Sequence, residues 1–310
     1  MLFSEILGQE HIKKHLTQSV DNGRIPHAQL FVGPEGSGTL PLAIAYARYI
    51  LCKNTDGENT MGNEACNLKF DHLSHPDLHF VFPVSTNETV KSHPVSKLFM
   101  QDWRKLIAEQ PYCNLFDWYK QIGIEKKQGH IGVDEAHDIV KALSLKAYEG
   151  GHKVMIIWMA EKMNTACANK LLKLIEEPPN KTIFILIAED EEQLLSTIRS
   201  RCQLLRLSPL PEEVVKEGLL SKFGLDVNVA AKIAHQANGN FNKAADLVYQ
   251  DSEDIQFEQW FVIWVRSAFK AKGNKAAIHD LISWSEEIAK TGRETQKQFL
   301  NFCVDFFRQA

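Results

Sequence analysis

The chain has 310 residues, 44% of them hydrophobic and 24% charged, with a formal net charge of -4. That length is too great for one ordinary domain and suggests two or three, while the charge balance excludes a generally basic nucleic-acid binder. No run approaches the ~20 apolar residues of a membrane span, and the six cysteines follow no regular framework, which reads as reduced thiols in a cytoplasmic protein.

Ile12, Leu16 and Val20 recur at helical spacing, so residues 8 to 22 are predicted as a helix. "HAQLFVG" is a short buried strand that runs into a glycine turn, and "LPLAIAYARYILC" is the helix that leaves it. From Lys53 to about Lys69 the sequence is polar and Gly/Asn-rich and reads as an excursion away from the core. "HPDLHFVFP" reads as a strand and residues 85 to 95 as a loop. Asp134 is expected to cap a helix with Ala136, Ile139, Val140 and Leu143 on one face. "KVMIIWM" and "TIFILIA" are predicted buried strands, with "NTACANKLLKLIEE" a helix between them and "LLSTIRSRC" a helical turn after them. Such alternation points to a parallel sheet covered by helices on both faces. After "LSPLP" every remaining segment reads as helix. The predicted division is therefore an α/β domain over 1–208, a small helical domain over 209–250 and an all-helical segment over 251–310. The chain stops at "NFCVDFFRQA" with its apolar pattern still running, so the last domain is either short or part of a longer one.

The glycine turn "GPEGSGTL" has the outline of a phosphate-binding loop, with Gly33, Gly36 and Gly38 on the backbone side. Thr39 stands where a lysine would reach the phosphates, and Leu40 where a hydroxyl would hold Mg²⁺. A second nucleotide-handling element should end an apolar strand in carboxylates. Here the tip of "KVMIIWM" is Trp158 and Met159, and Glu161 further on reads as an ordinary surface residue. "VDEAHD" at 133–138 spells an acidic box, but it follows no buried strand and opens an amphipathic helix, so it reads as a helix N-terminus. Losing the charged groups of both elements removes the main counter-charges to a triphosphate. Backbone amides at 35–39 could still hold a sulfate or phosphate.

The runs "FSEILGQEHIKKHL", "RIPHAQLFVGPEGSG", "HPDLHF", "ANKLLKLIEEPP" and "LLSTIRSRCQ" together resemble the delta-prime subunits of bacterial DNA polymerase III clamp loaders over about residues 3–250. The resemblance implies a P-loop AAA+ module with a helical lid and a helical collar domain that assembles a ring of subunits. It implies no intrinsic ATPase; ATP would be bound by the neighbouring subunit. Arg201, within Ser200-Arg201-Cys202, matches an arginine finger supplied in trans to that neighbour, a task suited to a permanently charged fork. The implied partners are gamma/tau-type and delta-type subunits, with the sliding clamp and primer-template DNA reached through the assembly, and no membrane. Asn242 and Lys243 fall where active relatives place a nucleotide-sensing arginine. Relatives often hold zinc with four cysteines; here only Cys52, Cys66, His72 and His75 are at hand, a poor tetrahedral set, so a metal-free loop is expected. The alternatives are an ATPase with an atypical loop and a stand-alone nucleic-acid-binding repair factor.

Overall fold

The structure is a computed structural model that describes residues 1–53, 63–148, 151–179, 181–249, 252–271 and 274–309. The predicted boundary at 250/251 and the first part of the excursion after Lys53 lie outside the described residues.

Helix α1 (Glu10–Asp21) precedes strand β1 (Ala28–Val32), the glycine turn and helix α2 (Thr39–Cys52). Then come α3 (Glu64–Asp71), β2 (Leu78–Val81), α4 (Met100–Glu109), α5 (Leu115–Gln121) and α6 (Val133–Ser144). The α/β part closes with β3 (Lys153–Ile157), α7 (Thr165–Glu176), β4 (Thr182–Ala188), α8 (Ser196–Arg199) and β5 (Gln203–Arg206). All strand pairings are parallel, in the order β2-β3-β4-β1-β5.

Alternation along the strands explains why the sheet is covered twice. In β4, Ile183, Ile185 and Ile187 face a core with α1, α2 and the aromatic residues of α4 and α5, while Phe184, Leu186 and Ala188 face α6 and α7. The expected parallel sheet with helices on both faces is thus present. Edge strand β5 was not predicted, because its residues are mostly half-buried or exposed and it carries no apolar run.

Four sequence-based expectations need correction. Asp134 does not cap α6; Gly132 holds that position, and the Asp134 carboxylate instead meets His93 Nδ1 at 2.9 Å. Val140 leaves the buried face and is exposed. The excursion is not wholly outside the core, since α3 buries Cys66 and Phe70, and Cys52 and Cys66 are joined as a disulfide rather than reduced. The end of α2 and the first turn of α3 bring their Cα atoms to 5.5 Å, within bridging range.

Helices α9 (Glu212–Phe223), α10 (Val227–Ala237) and α11 (Phe241–Tyr249) pack around Val215, Leu219, Ala234 and Phe241. Gly224 ends α9 at φ 63°, a left-handed cap that glycine takes without strain. Helices α12 (Ser252–Lys270), α13 (Lys275–Ala289) and α14 (Arg293–Gln309) share an aromatic core of Phe257, Trp260, Phe261 and Phe299. Among the described residues no helix is long and apolar enough to cross a membrane.

Candidate functional site

The glycine turn sits where β1 delivers it, at the exit end of the sheet. Gly36 (φ +70°) and Gly38 (φ +91°) take the left-handed conformations that a tight phosphate cradle requires. The space in front of them is taken by the chain itself. A Cβ at Gly36 would fall 2.0 Å from Asn240 Oδ1, and one at Gly38 would fall 3.1 Å from the Tyr112 ring. Phe241 N donates to Gly36 O at 3.2 Å. From the other side, Gln9 Nε2 donates to Ser37 O at 3.2 Å and to Ser208 O at 2.8 Å. What remains is a cavity of about 20 Å³ among residues that include Thr39, Leu40, Tyr112, Trp158, Met159 and Glu189. That is room for roughly one water, against the several hundred Å³ typical of a ligand site.

The charge at the cradle is inverted as well. Glu35 Oε1 accepts from Asn114 Nδ2 and from Asn240 Nδ2, both at 3.1 Å. Glu189 also lines the cavity; burial, and then the charge of Glu35, push its carboxyl up to about 7. Glu161 is not the surface residue expected from the sequence. Its Oε1 accepts from Glu189 N at 3.2 Å, and burial raises its pKa. Met159 takes a left-handed φ of 53° that turns the chain back toward β4, which accounts for this. Glu35 and Glu189 therefore line the cavity where a working phosphate loop sets a lysine, with Glu161 bonded to the backbone of Glu189. The Trp158 tip is equally committed: it is 2% exposed and packs 5.1 Å from Trp103 in an aromatic cluster.

Helices α9–α11, the expected lid, are fastened by the same neighbourhood. Asn114 and Asp117 cap α5 reciprocally, and Asp117 Oδ2 also accepts from Asn242 Nδ2 at 2.6 Å. Asn242, at the position expected of a sensing arginine, is 5% exposed and spends its side chain on this bond. Lys243 is half-buried beside it, its N–H donating to Asn240 Oδ1 at 3.0 Å. Residues Asn114, Asp117 and Asn240 were not singled out in the sequence, since their contacts with Glu35 and Asn242 join positions 79 to 205 residues apart.

The acidic box opens α6 and holds the segment before α4. Glu135 is 4% exposed and accepts from Ser96 N at 2.7 Å, and burial lifts its pKa to about 7. Asp138 pairs with Lys97 at 2.7 Å.

Ser200, Arg201 and Cys202 lie elsewhere. They follow α8, anchored by fully buried Ile198, and precede β5, whose Gln203 pairs with Gln29 and whose Arg206 pairs with Val32. The triplet is thus at the entry end of the edge strand, roughly 15 Å along the strand direction from the chain's own cradle. Cys202 is half-buried against the α7 side of the core, and burial pushes its thiol up to about 11. Arg201 points outward and pairs with Glu176 at the end of α7, so two of the runs that carry the family resemblance, "ANKLLKLIEEPP" and "LLSTIRSRCQ", meet in space.

The expected alternative metal ligands do not form a set. Cys52 and Cys66 are bonded to each other, so neither offers a thiolate. His72 is exposed at the end of α3, and His75 is buried against Phe70 with its Nδ1 accepting from Asp77 N at 3.2 Å. Among the described residues no group of three or more His, Cys, Asp or Glu is arranged to hold a metal. The donor set therefore does not fit the zinc that the family resemblance brings to mind.

A family model described as DNA polymerase III, delta subunit, matches residues 8–211. The DNA polymerase III subunit delta' of Haemophilus influenzae is 31% identical over 216 residues, which cover 69% of this chain and 53% of that protein. The Escherichia coli subunit delta' is 31% identical over 199 residues, 64% of this chain and 47% of that one. The match spans about half the length of these relatives. Among solved structures, a gamma subunit-related protein of DNA polymerase III from Thermotoga maritima aligns with 93% of this chain and 76% of its own, at 16% identity and a TM-score of 0.41. With a family model matched from the first helix to the end of the sheet, the chain belongs to the DNA polymerase III delta-subunit family, among relatives that carry the delta' name.

Proposed function

We propose that this chain is a non-hydrolysing clamp-loader subunit that acts as a scaffold and lends Arg201 to the ATP site of a neighbour. The observation that carries the proposal is the separation of two features. The cradle at the exit end of the sheet is filled and acidic, while Arg201 stands at the opposite end of an edge strand and cannot serve that cradle. Beyond its pair with Glu176, an arginine so placed can meet a nucleotide only at another chain's site. Its guanidinium is charged at every working pH and matches phosphate oxygens in a fork. An arginine finger is worth about 10³–10⁵ in rate where it has been isolated.

In this reading no nucleotide or metal is bound here; ATP belongs to the neighbouring gamma/tau-type subunit. The delta-type subunit is the other partner, and the sliding clamp and primer-template DNA are met through the assembly. Calorimetric titration of the isolated chain with Mg·ATP, alongside co-purification with gamma/tau-type and delta-type subunits, tests it. The expected result is no saturable heat in the low micromolar range together with stable co-elution. Tight Mg²⁺-dependent ATP binding, or failure to associate with either subunit, contradicts it.

A further inference from the structure

All three guanidinium nitrogens of Arg201 already have partners. Nε and Nη2 both reach Glu176 Oε1, and Nη1 donates to Thr197 O at 2.8 Å and to Ser200 Oγ at 3.3 Å. The edges that would fork across phosphate oxygens are therefore engaged inside the chain. Of the partners only Glu176 is charged, so it is the one that rivals a phosphate.

The position of Glu176 is a second, independent sign. It is the last residue of α7, with Glu177 as the C-cap and prolines 178 and 179 beyond. Two carboxylates at the negative end of a helix oppose its dipole, whereas a cation there is favoured. Local propensity thus argues against an acid at 176, and Arg201, reached from 25 residues away, supplies the compensating charge. Both side chains remain partly open, 37% exposed for Arg201 and 42% for Glu176, so water and anions can exchange into the pair.

We propose that Glu176 sheathes Arg201 in the unassembled chain as an internal stand-in for phosphate, and that a neighbour's nucleotide must displace it. The proposal rests on the trans-acting role given to Arg201 above. Glu176 is then a positioning residue that sets how readily the arginine is released.

Two measurements test it. In the full-length chain, phenylglyoxal condenses with guanidinium nitrogens, and peptide mass mapping reads each arginine separately. Glu176→Gln should speed labelling of Arg201 roughly two- to fivefold, the scale of an exposed ion pair. Arg199, held by Glu192 at 2.5 Å, should not change. Unchanged labelling of Arg201 overturns the sheath itself. In the reconstituted assembly, Glu176→Gln should lower the apparent KM for ATP by a similar factor with kcat nearly unaltered, and the effect should vanish in an Arg201→Ala background. Equal losses of turnover in both backgrounds would mean a merely structural role and overturn the proposal. An Arg201→Ala assembly with full turnover overturns the trans role beneath it, whatever the labelling shows.

Discussion

Restoring the missing letters of the phosphate loop should not restore nucleotide binding. The double variant Thr39→Lys, Leu40→Thr recreates the pattern that reaches phosphates and Mg²⁺, yet the cavity before it is about 20 Å³. Admitting a triphosphate requires the lid to part from the loop. That breaks the bonds from Asn240 to Glu35, from Phe241 N to Gly36 O, and from Asn242 to Asp117. At about 1–1.5 kcal/mol each the opening costs roughly 4 kcal/mol, enough to weaken a micromolar site by about three decades. Glu35 and the ionised fraction of Glu189 add repulsion to the incoming phosphates. Leu40 is 3% exposed, so its replacement also costs about 2–3 kcal/mol of packing. Calorimetry with Mg·ATP on the double variant, with thermal unfolding monitored to check its fold, should show no saturation below about 1 mM. Adding Asn240→Ala and Asn242→Ala should strengthen binding by weakening the lid contacts. Low-micromolar binding by the double variant alone would refute the argument, since it would mean that Thr39 and Leu40 were the whole obstacle.

Other outcomes follow from single contacts. Glu135, buried with a carboxyl near 7 against an ordinary 4.5, favours the folded state below pH 4.5, and that contribution is lost as pH rises through 7. Glu135→Gln should flatten this decline, worth up to about 3 kcal/mol, in urea titrations across pH 4 to 8; an unchanged slope would show that the group titrates normally. Cys52→Ser should lower stability by about 3 kcal/mol, the chain-entropy value for a loop of this size, and dithiothreitol should bring the unsubstituted chain to the same melting temperature. Asn242→Ala, which removes one charge-assisted donor from Asp117 Oδ2 and leaves that of Asn114 N, should cost about 1.5 kcal/mol and expose the lid to limited proteolysis. Resistance equal to that of the unsubstituted chain would show that the bond does not fasten the lid.

Features set by near neighbours in the chain were legible in the sequence. The run "TIFILIA" is β4 residue for residue, and Gly224 and Asn164 end and start their helices as turn chemistry dictates. The absent lysine and hydroxyl were visible because a phosphate loop has fixed spacing. What fills the loop was not, because Glu35 meets Asn240 across 205 residues and no local pattern marks either one. Glu161 looked exposed because nothing in "MAEKMN" reveals that Met159 turns left-handed. Strand β5 escaped notice because an edge strand needs only one buried neighbour. The pairing of Cys52 with Cys66 was hidden by the polar segment between them, which gave no sign that α3 would fold back on α2.

The central claim is that Arg201 works for another chain. Its most direct test is ATP turnover by the reconstituted clamp-loader assembly, stimulated by DNA, with this subunit carrying Arg201→Ala, Arg201→Lys or Arg199→Ala. The account predicts a marked loss for Arg201→Ala with the subunit still folded and assembled, since an exposed ion pair contributes little to stability. It predicts poor rescue by lysine, whose ammonium lacks the forked geometry, and a smaller effect at Arg199. Turnover by the Arg201→Ala assembly at the unsubstituted rate would contradict the claim and leave this subunit a scaffold alone.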